Sequence, residues 1–384
     1  MLLLNALSGN QSVVSNLSAA RDTQLMNRLV NSHEKTIDVM DAGTTMRFLT
    51  AYFALGGKQK ILTGSDRMKE RPIGILVEAL RKLGASINSL GLEGFPPIET
   101  KGFEGQLTDK LEMPGNVSSQ YISALMMVAP LLPKGLTIQL QGKVGSIPYI
   151  RMTAALLKKF GVDILLDFEN GVIKIPNSTY ISAEVTVEAD WSSASYWFAF
   201  TALANEAEVV LPNVSEKSLQ GDRVIVEIMH QLGVDSIFEN GNVRLTKKAC
   251  TTNLVWDFKD CPDLAQTVLP VCAAKGISGE FTGMESLRIK ETDRIAALQH
   301  ELRKLGAQLN EPSTGHWALE SRMLPNHTVT INTYHDHRMA MGFAPLATLM
   351  DLKIESPEVV NKSYPSFWAD MRSIGFDTTT SEEN

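Results

Sequence analysis

The chain has few cysteines, no long apolar run and no excess of positive charge, and each shortage excludes a class of protein. Three cysteines in 384 residues are too few, and odd in number, for a disulfide framework. With no signal-like start, they favour structural roles in a reducing cytosol. No apolar stretch is long enough to span a bilayer. The net charge of −7 argues against general nucleic-acid binding, so local basic clusters point instead to small anionic ligands.

Three common enzyme signatures are also missing from the sequence. There is no Gly-x-x-x-x-Gly-Lys-Ser/Thr loop, no Gly-x-Gly-x-x-Gly after a strand and no Gly-x-Ser-x-Gly elbow. These absences disfavour a P-loop kinase, a dinucleotide-binding fold and an α/β-hydrolase. A length of 384 residues with 44% apolar and 21% charged side chains predicts a globular protein of two domains.

Helix-like segments that end in glycine recur along the chain at intervals of 69 to 77 residues. The glycines are Gly84, Gly161, Gly233, Gly306 and Gly375. Strand-like runs follow those up to Gly306, for example at 162–168 and 234–238. This regularity predicts a repeated βα supersecondary module.

A second kind of helix recurs in the same register, with a polar start and an almost wholly apolar body. The starts lie at 41–45, 116–120, 190–193, 260–263 and 334–338, and the bodies at 46–55, 121–132, 194–204, 264–274 and 339–350. Such bodies should be buried. The N–H groups at their starts then need Ser, Thr or Asp side chains, or a bound ligand.

The domain boundary is predicted at 188–190, which gives lobes of 1–189 and 190–384 joined by a short hinge. Residues 1–9 resemble the body and exit of one more buried helix, without a cap or a preceding strand. We expect that a strand and a polar helix start once preceded Met1, or that the start codon lies upstream. The alternative is a genuine start at Met1 with a fraying helix. The polar tail at 378–384 is expected to fray as well.

The stretch from Arg288 to Arg294 holds three cations and two carboxylates. Apolar residues then follow at helical spacing up to Gly306, so the charged stretch is placed at a helix start, which suits an anion. Glu291, held among cations, could transfer protons. The alternative is a solvated, salt-bridged helix start. A similar stretch at 67–72 leads into a similar ending at 80–85, which favours function.

Three other polar groups are candidates for a site. His335, Asp336 and His337 resemble metal ligands, but the charge of Arg338 opposes a cation. A helix-start anion site using His337 and Arg338 is favoured, the alternative being that Asp336 only caps the helix.

Ser118, Ser119 and Gln120 form a possible phosphate or carboxylate cradle, with plain capping as the alternative. Asp263 precedes an apolar helix and is either a cap or a general base. Several helix starts are predicted to converge on one cleft, carrying Arg71, Arg294, Arg338, Lys69, Lys290 and serines. With Asp263 and Glu291 as base and acid, the residues predict an enzyme acting on phosphorylated, carboxylated small molecules.

Motifs along essentially the whole chain resemble those of the 5-enolpyruvylshikimate-3-phosphate (EPSP) synthase family. They lie at 42–47, 67–73, 117–120, 148–150, 192–196, 220–222, 262–263, 290–294 and 336–341. The resemblance implies an α/β, two-domain enolpyruvyl transferase fold of repeated βαβαββ units, an inside-out α/β barrel. It also implies a monomer without metal or organic cofactor, active in aromatic amino acid biosynthesis. Glyphosate occupies the phosphoenolpyruvate site in this family.

The implied reaction joins phosphoenolpyruvate to the 5-hydroxyl of shikimate 3-phosphate and releases phosphate. By position, Asp263 resembles the base, and Glu291, with Lys362, the acid/base partner at the methylene. The implied phosphoenolpyruvate contacts are Gly43, Arg71, Gln120, Arg294, Arg338 and Lys362. The implied shikimate 3-phosphate contacts are Ser118, Ser119, Gln120, Ser146, Tyr149, Asp263, Ser286 and Lys290.

The sequence departs from the family pattern at four places. The family's Gly-Ser-Lys-Ser segment, with its later arginine, belongs before Met1. Asp41 and Ser286 stand where the family has Asn, and Phe48 stands where Pro is common. Phe48 could alter helix placement near Gly43 and with it glyphosate sensitivity. The alternatives are a binding-only pseudoenzyme, or a UDP-amino-sugar enolpyruvyl transferase, which would need a cysteine in the first half of the chain.

Overall fold

The computed structural model describes residues 1–379, which form two compact units. The first unit comprises Met1–Ser18 and Asp22–Val187, and the second comprises Ala19–Arg21 together with the chain from Glu188 onward. The main division of the chain therefore falls just before the segment proposed as the boundary. Residues 380–384, part of the tail expected to fray, lie outside the described residues.

The first unit contains the following helices and strands. The helices are α1 (Leu2–Leu7), α2 (Arg21–Val30), α3 (Gly43–Leu55), α4 (Asp66–Lys69), α5 (Gly74–Leu83), α6 (Ser119–Val128) and α7 (Ile147–Lys159). The strands are β1 (Val13–Ser15), β2 (Thr36–Asp38), β3 (Lys60–Thr63), β4 (Ala85–Ser89), β5 (Ile98–Phe103), β6 (Lys110–Pro114), β7 (Leu136–Gln141), β8 (Leu165–Asp167), β9 (Val172–Ile175) and β10 (Glu184–Thr186).

Two sheets of the first unit share one topology. Their strand orders are β2-β3-β5-β4 and β6-β7-β9-β8, with the first two strands parallel and the last two forming an antiparallel hairpin. Read along the chain, each sheet is one βαβαββ module. Strands β1 and β10 pair in parallel and close a third, smaller sheet.

The second unit contains the remaining described elements. The helices are α8 (Trp191–Leu203), α9 (Ile225–Gln231), α10 (Ala265–Ala274), α11 (Arg294–Lys304), α12 (His337–Phe343) and α13 (Phe367–Ser373). The strands are β11 (Glu208–Leu211), β12 (Val234–Glu239), β13 (Asn242–Lys247), β14 (Asn253–Asp257), β15 (Ser278–Thr282), β16 (Gln308–Ser313), β17 (His316–Glu320), β18 (Val329–Ile331) and β19 (Leu352–Ile354).

The βαβαββ module recurs in the second unit. The sheet β14-β15-β17-β16 has the same order and directions as the two four-stranded sheets of the first unit. The sheets β11-β13-β12 and β18-β19 hold parts of the same pattern. The repeat predicted from the glycine spacing is therefore confirmed.

The predicted apolar helices form the core of each unit. Nearly every side chain of α3, α6, α8, α10 and α12 is buried, as their apolar composition required. In the first unit α6 packs between α3 and α7, and in the second α10 packs against α8 and α12. Two bodies are shorter than predicted: α6 and α12 pass into 3-10 turns at Ala129–Leu131 and Ala344–Thr348. A proline at the start of each turn lacks the N–H that would continue the α-helix.

The repeated glycines end helices as predicted. Gly84 and Gly306 follow α5 and α11 at φ angles of 113° and 78°, in the left-handed region that favours glycine. The strand predicted at 162–168 is shorter than expected and covers only Leu165–Asp167, while Val162 before it is buried. At the N-terminus, α1 is helical as predicted and buries Leu3 and Leu4.

Among residues 1–379, no helix combines the length and the apolar character needed to cross a membrane.

Candidate active site

The predicted site residues form one cluster in each unit, and the two clusters are described separately. The first-unit cluster lies at the starts of α3, α6 and α7 and includes Arg71. The second-unit cluster surrounds Arg294 at the start of α11.

In the first-unit cluster, the guanidinium of Arg71 lies over Gly43. A Cβ placed on Gly43 would lie 2.7 Å from Nη2 of Arg71 and 2.8 Å from Nη1 of Arg47. The first turn of α3 also has no side-chain cap, because Ala42 occupies the N-cap position. Glycine is needed here because any side chain would displace the two arginines from the helix start.

Arg47 joins the start of α3 to the segment that follows Arg71. Its Nη1 donates to the Gly43 carbonyl (3.1 Å) and its Nη2 to the Pro72 carbonyl (3.2 Å). Tyr121 donates to the same Pro72 carbonyl (2.6 Å). No role was assigned to Arg47 from the sequence, although a cation inside an otherwise apolar, buried helix was a usable signal.

The start of α6 reaches the start of α3. Gln120 Nε2 donates to Thr44 Oγ1 (3.0 Å), and Ser118 Oγ accepts from the Gln120 amide (3.4 Å). Ser118 therefore caps α6, which was the alternative weighed against a ligand cradle. Ser119 is buried in the first turn.

The start of α7 holds Ser146 and Tyr149. Ser146 has a φ of 53° and makes no side-chain cap, while the Tyr149 amide donates to the Ser146 carbonyl (3.1 Å). Behind them, Thr153 donates to the Tyr149 carbonyl (2.9 Å) and lies 2.8 Å from Ser123 Oγ on α6. The two helices are thus tied to each other in their second turns.

Two sequence predictions in this unit fare differently. Lys69 was expected at the cleft, but it points outward and pairs with the exposed Asp66 (3.0 Å), one turn back on α4. Phe48 lies within an unbroken α3 and packs partly buried against the core. Its proposed influence on the start of that helix stays a prediction.

In the second-unit cluster, Arg294 is almost fully buried and contacts three carboxylates. Its Nε and Nη2 donate to Asp336 (2.6 and 3.2 Å), Nη1 donates to Asp263 (2.8 Å), and Nη2 also donates to Glu291 (2.9 Å). These bonds use four of the five N–H donors of a guanidinium, so one Nη1 hydrogen is left for a ligand. The carboxylates raise the Arg294 pKa although burial alone would lower it.

Asp263 lies among three cations. Lys290 Nζ approaches one carboxylate oxygen to 3.2 Å, Arg294 contacts the same oxygen, and Arg338 Nη2 lies 3.1 Å from the other. Burial by itself would raise the pKa of Asp263, but Arg338, Lys290 and Arg294 hold that pKa well below its usual range. These contacts could not be read from the sequence, because Asp263, the stretch 290–294 and Arg338 are far apart in the chain.

Glu291 lies between Arg294 and Lys362. Lys362 Nζ is 3.8 Å from the second carboxylate oxygen of Glu291 and is itself buried. The pairing of these two residues, expected from the resemblance, is thus present as a contact. The charged stretch does not start the helix as a whole, however: Glu285–Ile289 form a 3-10 turn and α11 begins at Arg294, capped by Asp293.

Arg338 also contacts α8, which sequence reasoning did not assign to the site. Its Nη2 donates to Ser192 Oγ (3.2 Å) and its Nη1 to the Tyr196 hydroxyl (3.5 Å). Ser192 in turn donates to the buried Asp222. The spacing of Ser192 and Tyr196, four residues apart on a helix, was a signal that they share a face.

The segment around Asp336 corrects one prediction. Asp336 both caps α12, through the Arg338 amide (2.9 Å), and pairs with Arg294, so capping was only part of its role. His337 is buried, and burial lowers its pKa to about 3, so it is neutral and adds no charge to an anion site. Within residues 1–379, no three His, Cys, Asp or Glu side chains are grouped as metal ligands.

Ser286 is exposed in the 3-10 turn before Lys290 and makes no hydrogen bond to the second-unit cluster in the described part of the chain. All three cysteines are unpaired: Cys250 is exposed, and Cys261 and Cys272 are buried, which raises their pKa.

The second-unit cluster combines anion binding with proton transfer. Lys290, Arg294, Arg338 and Lys362 bring four cationic groups to the cluster, and such groups can bind the negative groups of a ligand. Asp263 and Glu291 both accept hydrogen bonds from Arg294, so a ligand bound beside Arg294 would lie near two carboxylates.

Comparisons with known proteins identify the family of the chain. The family model of EPSP synthase (3-phosphoshikimate 1-carboxyvinyltransferase) matches residues 1–371. A 3-phosphoshikimate 1-carboxyvinyltransferase of Bacteroides fragilis is 43% identical over 386 residues, covering 100% of this chain and 93% of the relative. One of Methanospirillum hungatei is 35% identical over 344 residues, covering 88% and 79%.

The fold is shared with solved structures. An EPSP synthase of Acinetobacter baumannii has a TM-score of 0.73 at 19% identity, with 97% of this chain and 93% of that chain covered. A second structure from the same organism has a TM-score of 0.74. The predicted enolpyruvyl transferase fold is confirmed. The chain belongs to the EPSP synthase family, the 3-phosphoshikimate 1-carboxyvinyltransferases.

Proposed function

We propose that the residues named from the sequence have distinct roles in the reaction of this family. The chain is a transferase of the shikimate pathway. It moves the enolpyruvyl group of phosphoenolpyruvate to the 5-hydroxyl of shikimate 3-phosphate and releases phosphate. The observation that carries the residue assignments is the contact of Arg294 with both Asp263 and Glu291.

Phosphoenolpyruvate carries a carboxylate and a phosphate, which planar guanidinium groups bind well. Its proposed contacts are Gly43, Arg71 and Gln120 in the first unit and Arg294, Arg338 and Lys362 in the second. The uncapped start of α3 beside Arg71 supports the first group. The remaining Nη1 hydrogen of Arg294 supports the second.

The phosphate of shikimate 3-phosphate is unchanged by the reaction, whereas its 5-hydroxyl reacts. Its proposed contacts are Ser118, Ser119, Gln120, Ser146, Tyr149, Asp263, Ser286 and Lys290. Supporting this, the hydroxyl of Ser146 is not used as a helix cap, and Ser123 and Thr153 tie α6 to α7. Lys290 would hold an anionic or hydroxyl group beside Asp263.

In the proposed mechanism, Glu291 takes up a proton when the substrates bind and gives that proton to the methylene carbon of phosphoenolpyruvate. Lys362 stabilises the carboxylate that results. The neighbouring carbon becomes cationic and is attacked by the 5-hydroxyl, whose proton passes to Asp263. Loss of a methyl proton back to Glu291 and cleavage of the C–O bond to phosphate restore the double bond, and the departing phosphate takes the proton held by Asp263.

Asp263 is a weak base while three cations contact it. Binding of anionic substrates would draw Arg338 and Lys290 toward the substrates, weaken their contacts with Asp263 and raise its pKa. The base would thus become effective only when both substrates are present.

The test is phosphate release from phosphoenolpyruvate, measured with and without shikimate 3-phosphate. We expect release that needs both substrates and that falls by a factor on the order of 10² or more in Asp263→Asn. Asp351→Asn, which changes an exposed carboxylate, is the matched control. Binding of both substrates without release would instead favour the binding-only alternative. Release with a UDP-amino sugar as acceptor would favour the sister transferase.

We also propose a cytoplasmic monomer. Three unpaired cysteines support a reducing compartment. Light scattering after size-exclusion chromatography should give the chain mass of 42.2 kDa. A particle of twice that mass would contradict the monomer.

A further inference from the structure

The segment before Asp336 forms a turn that its residues do not favour. The Asp336 amide donates to the Thr333 carbonyl (2.9 Å), and the two residues between them, Tyr334 and His335, have φ angles of 54° and 56°. Two successive residues at positive φ, closed by such a bond, are typical of a type I′ turn, which prefers Gly, Asn or Asp. Tyrosine and histidine at these positions need support from elsewhere.

Glu301 supplies that support from α11. Its carboxylate is fully buried and accepts from the Tyr334 hydroxyl (2.7 Å), the Asn332 amide (3.1 Å) and Lys304 Nζ (2.7 Å). His300 Nδ1 lies 2.8 Å from both the Tyr334 hydroxyl and the Glu301 carboxylate. A buried carboxylate with this many partners holds a fixed position.

Glu301 and Arg294 lie on the same side of α11. They are seven residues apart, which is two helical turns. Arg294 holds Asp336 at one end of the turn segment, and Glu301 holds Asn332 and Tyr334 at the other. The segment is therefore attached to α11 at two points, with the strained turn between them.

We propose that Glu301 and Tyr334 are positioning residues that hold the 333–336 turn in place and thereby set the geometry of the Asp336–Arg294 pair. Neither residue contacts a substrate in this proposal. Loss of the Tyr334 hydroxyl lets the turn relax and moves Asp336. The Arg294 guanidinium then no longer has the orientation proposed for binding phosphoenolpyruvate. The link to catalysis rests on the proposed role of Arg294 in binding phosphoenolpyruvate.

Tyr334→Phe tests the proposal, because it removes the hydroxyl and keeps the ring. We expect the KM for phosphoenolpyruvate to rise about tenfold, the effect of losing one hydrogen bond to a charged group, with a smaller rise in the KM for shikimate 3-phosphate, because Arg294 also contacts Asp263. Glu301→Gln should act in the same direction, and the double variant should be no worse than the stronger single one.

Rescue separates positioning from general stability. In the Tyr334→Phe background, His335→Asn should bring the KM back toward the wild-type value, because Asn adopts positive φ with little strain. Tyr180→Phe is the matched control: it removes another buried tyrosine hydroxyl, which donates to the Met127 carbonyl, and should leave the KM unchanged. An unchanged KM in Tyr334→Phe, or a raised KM that His335→Asn fails to lower, would overturn the proposal.

A measurement that needs no activity distinguishes this proposal from the proposed function. Hydrogen–deuterium exchange of a peptide covering 330–338 should be faster in Tyr334→Phe than in the wild type, and slower again in Tyr334→Phe/His335→Asn. Equal exchange in all three proteins would contradict the turn hypothesis even if the enzyme is active. The expected exchange pattern in an inactive wild type would contradict only the proposed function.

Discussion

Arg294 and Asp336 form a two-point ion pair in the second unit, with Nε to Oδ2 at 2.6 Å and Nη2 to Oδ1 at 3.2 Å. The arginine is 1% exposed and the aspartate is fully buried. This pair joins the first residue of α11 to the N-cap of α12. It therefore connects the start of α11, just after Glu291, to the helix that carries Arg338.

Removing one partner of this pair should be costly. Asp336→Ala leaves a buried guanidinium short of a carboxylate and removes the cap of α12, so we expect a loss of about 3–5 kcal/mol in the free energy of unfolding. Urea titration measures it. The control is Asp163→Ala, whose carboxylate is 80% exposed and 3.7 Å from Lys158, with an expected change under about 0.5 kcal/mol. A loss in Asp336→Ala no larger than in the control would show that the pair adds little.

Gly43→Ala should weaken phosphoenolpyruvate binding. The new methyl group would lie within 3 Å of the guanidinium groups of Arg71 and Arg47, so both must move. We expect the KM for phosphoenolpyruvate to rise by a factor on the order of ten to a hundred, with a smaller change in kcat. Gly91→Ala is the matched control, because a Cβ there meets nothing within 4 Å. An equal KM in the two variants would remove Arg71 from the proposed site.

Glu291→Gln should lower kcat far more than it changes KM. Glutamine can still accept a hydrogen bond from Arg294 but cannot give up a proton, so the proposed acid is lost while the contact is kept. We expect kcat to fall by about 10²–10⁴. Glu320→Gln, at an exposed position at the end of β17, serves as control. A kcat within threefold of the wild type would assign the proton transfer to another group.

Asp222 should make stability depend on pH in the mildly acidic range. Burial raises the pKa of Asp222 to about 6 from an ordinary value of 3.8, and the charges of Asp263 and Asp190 raise it as well. Arg338 and the hydrogen bond from Ser192 lower it. The folded state thus binds more protons than the unfolded state between about pH 4 and 6. This contribution is fully present below pH 4 and is lost as the pH rises through 6, by an amount on the order of 3 kcal/mol.

Comparison with Asp222→Asn isolates this effect. The neutral variant should lack the contribution, so the difference in unfolding free energy between wild type and variant should fall between pH 4 and 6. The difference is needed because His337, with its pKa lowered to about 3, gives stability the opposite slope between about 3 and 6.5. A difference that stays constant across this range would contradict the raised pKa.

The helices and their ends follow from local sequence. An amphipathic or wholly apolar run closed by glycine predicts a helix and its exit, and Gly84 and Gly306 adopt the positive φ that this reading requires. The similarity between the segments 67–85 and 288–307 could be seen in the sequence, because each has a charged start and a helix that ends in glycine. Local preference also explains two helix ends that were predicted wrongly. Apolar content alone predicted longer helices, but α6 and α12 end earlier, at the 3-10 turns that contain Pro130 and Pro345.

The site was only partly readable from local sequence. Asp263, Glu291, Arg294 and Arg338 were identified as candidates from motifs, and the structure brings all four into one network. Ser192, Tyr196 and Asp222 were in matching motifs without an assigned role, because their contact with Arg338 spans more than a hundred residues of chain.

The sequence by itself determined the main helices and a repeated βα module, through periodicity and turn residues. Its short motifs determined the family, and the resemblance to that family implied the βαβαββ unit. Only the tertiary structure decided the state of the charged groups. Asp336 is a buried partner of Arg294 rather than only a cap, His337 is neutral, and the pKa of Asp263 is lowered rather than raised. Each outcome depends on burial and on charges brought from distant segments, and electrostatic energy is set by distance in space, which spacing along the chain does not specify.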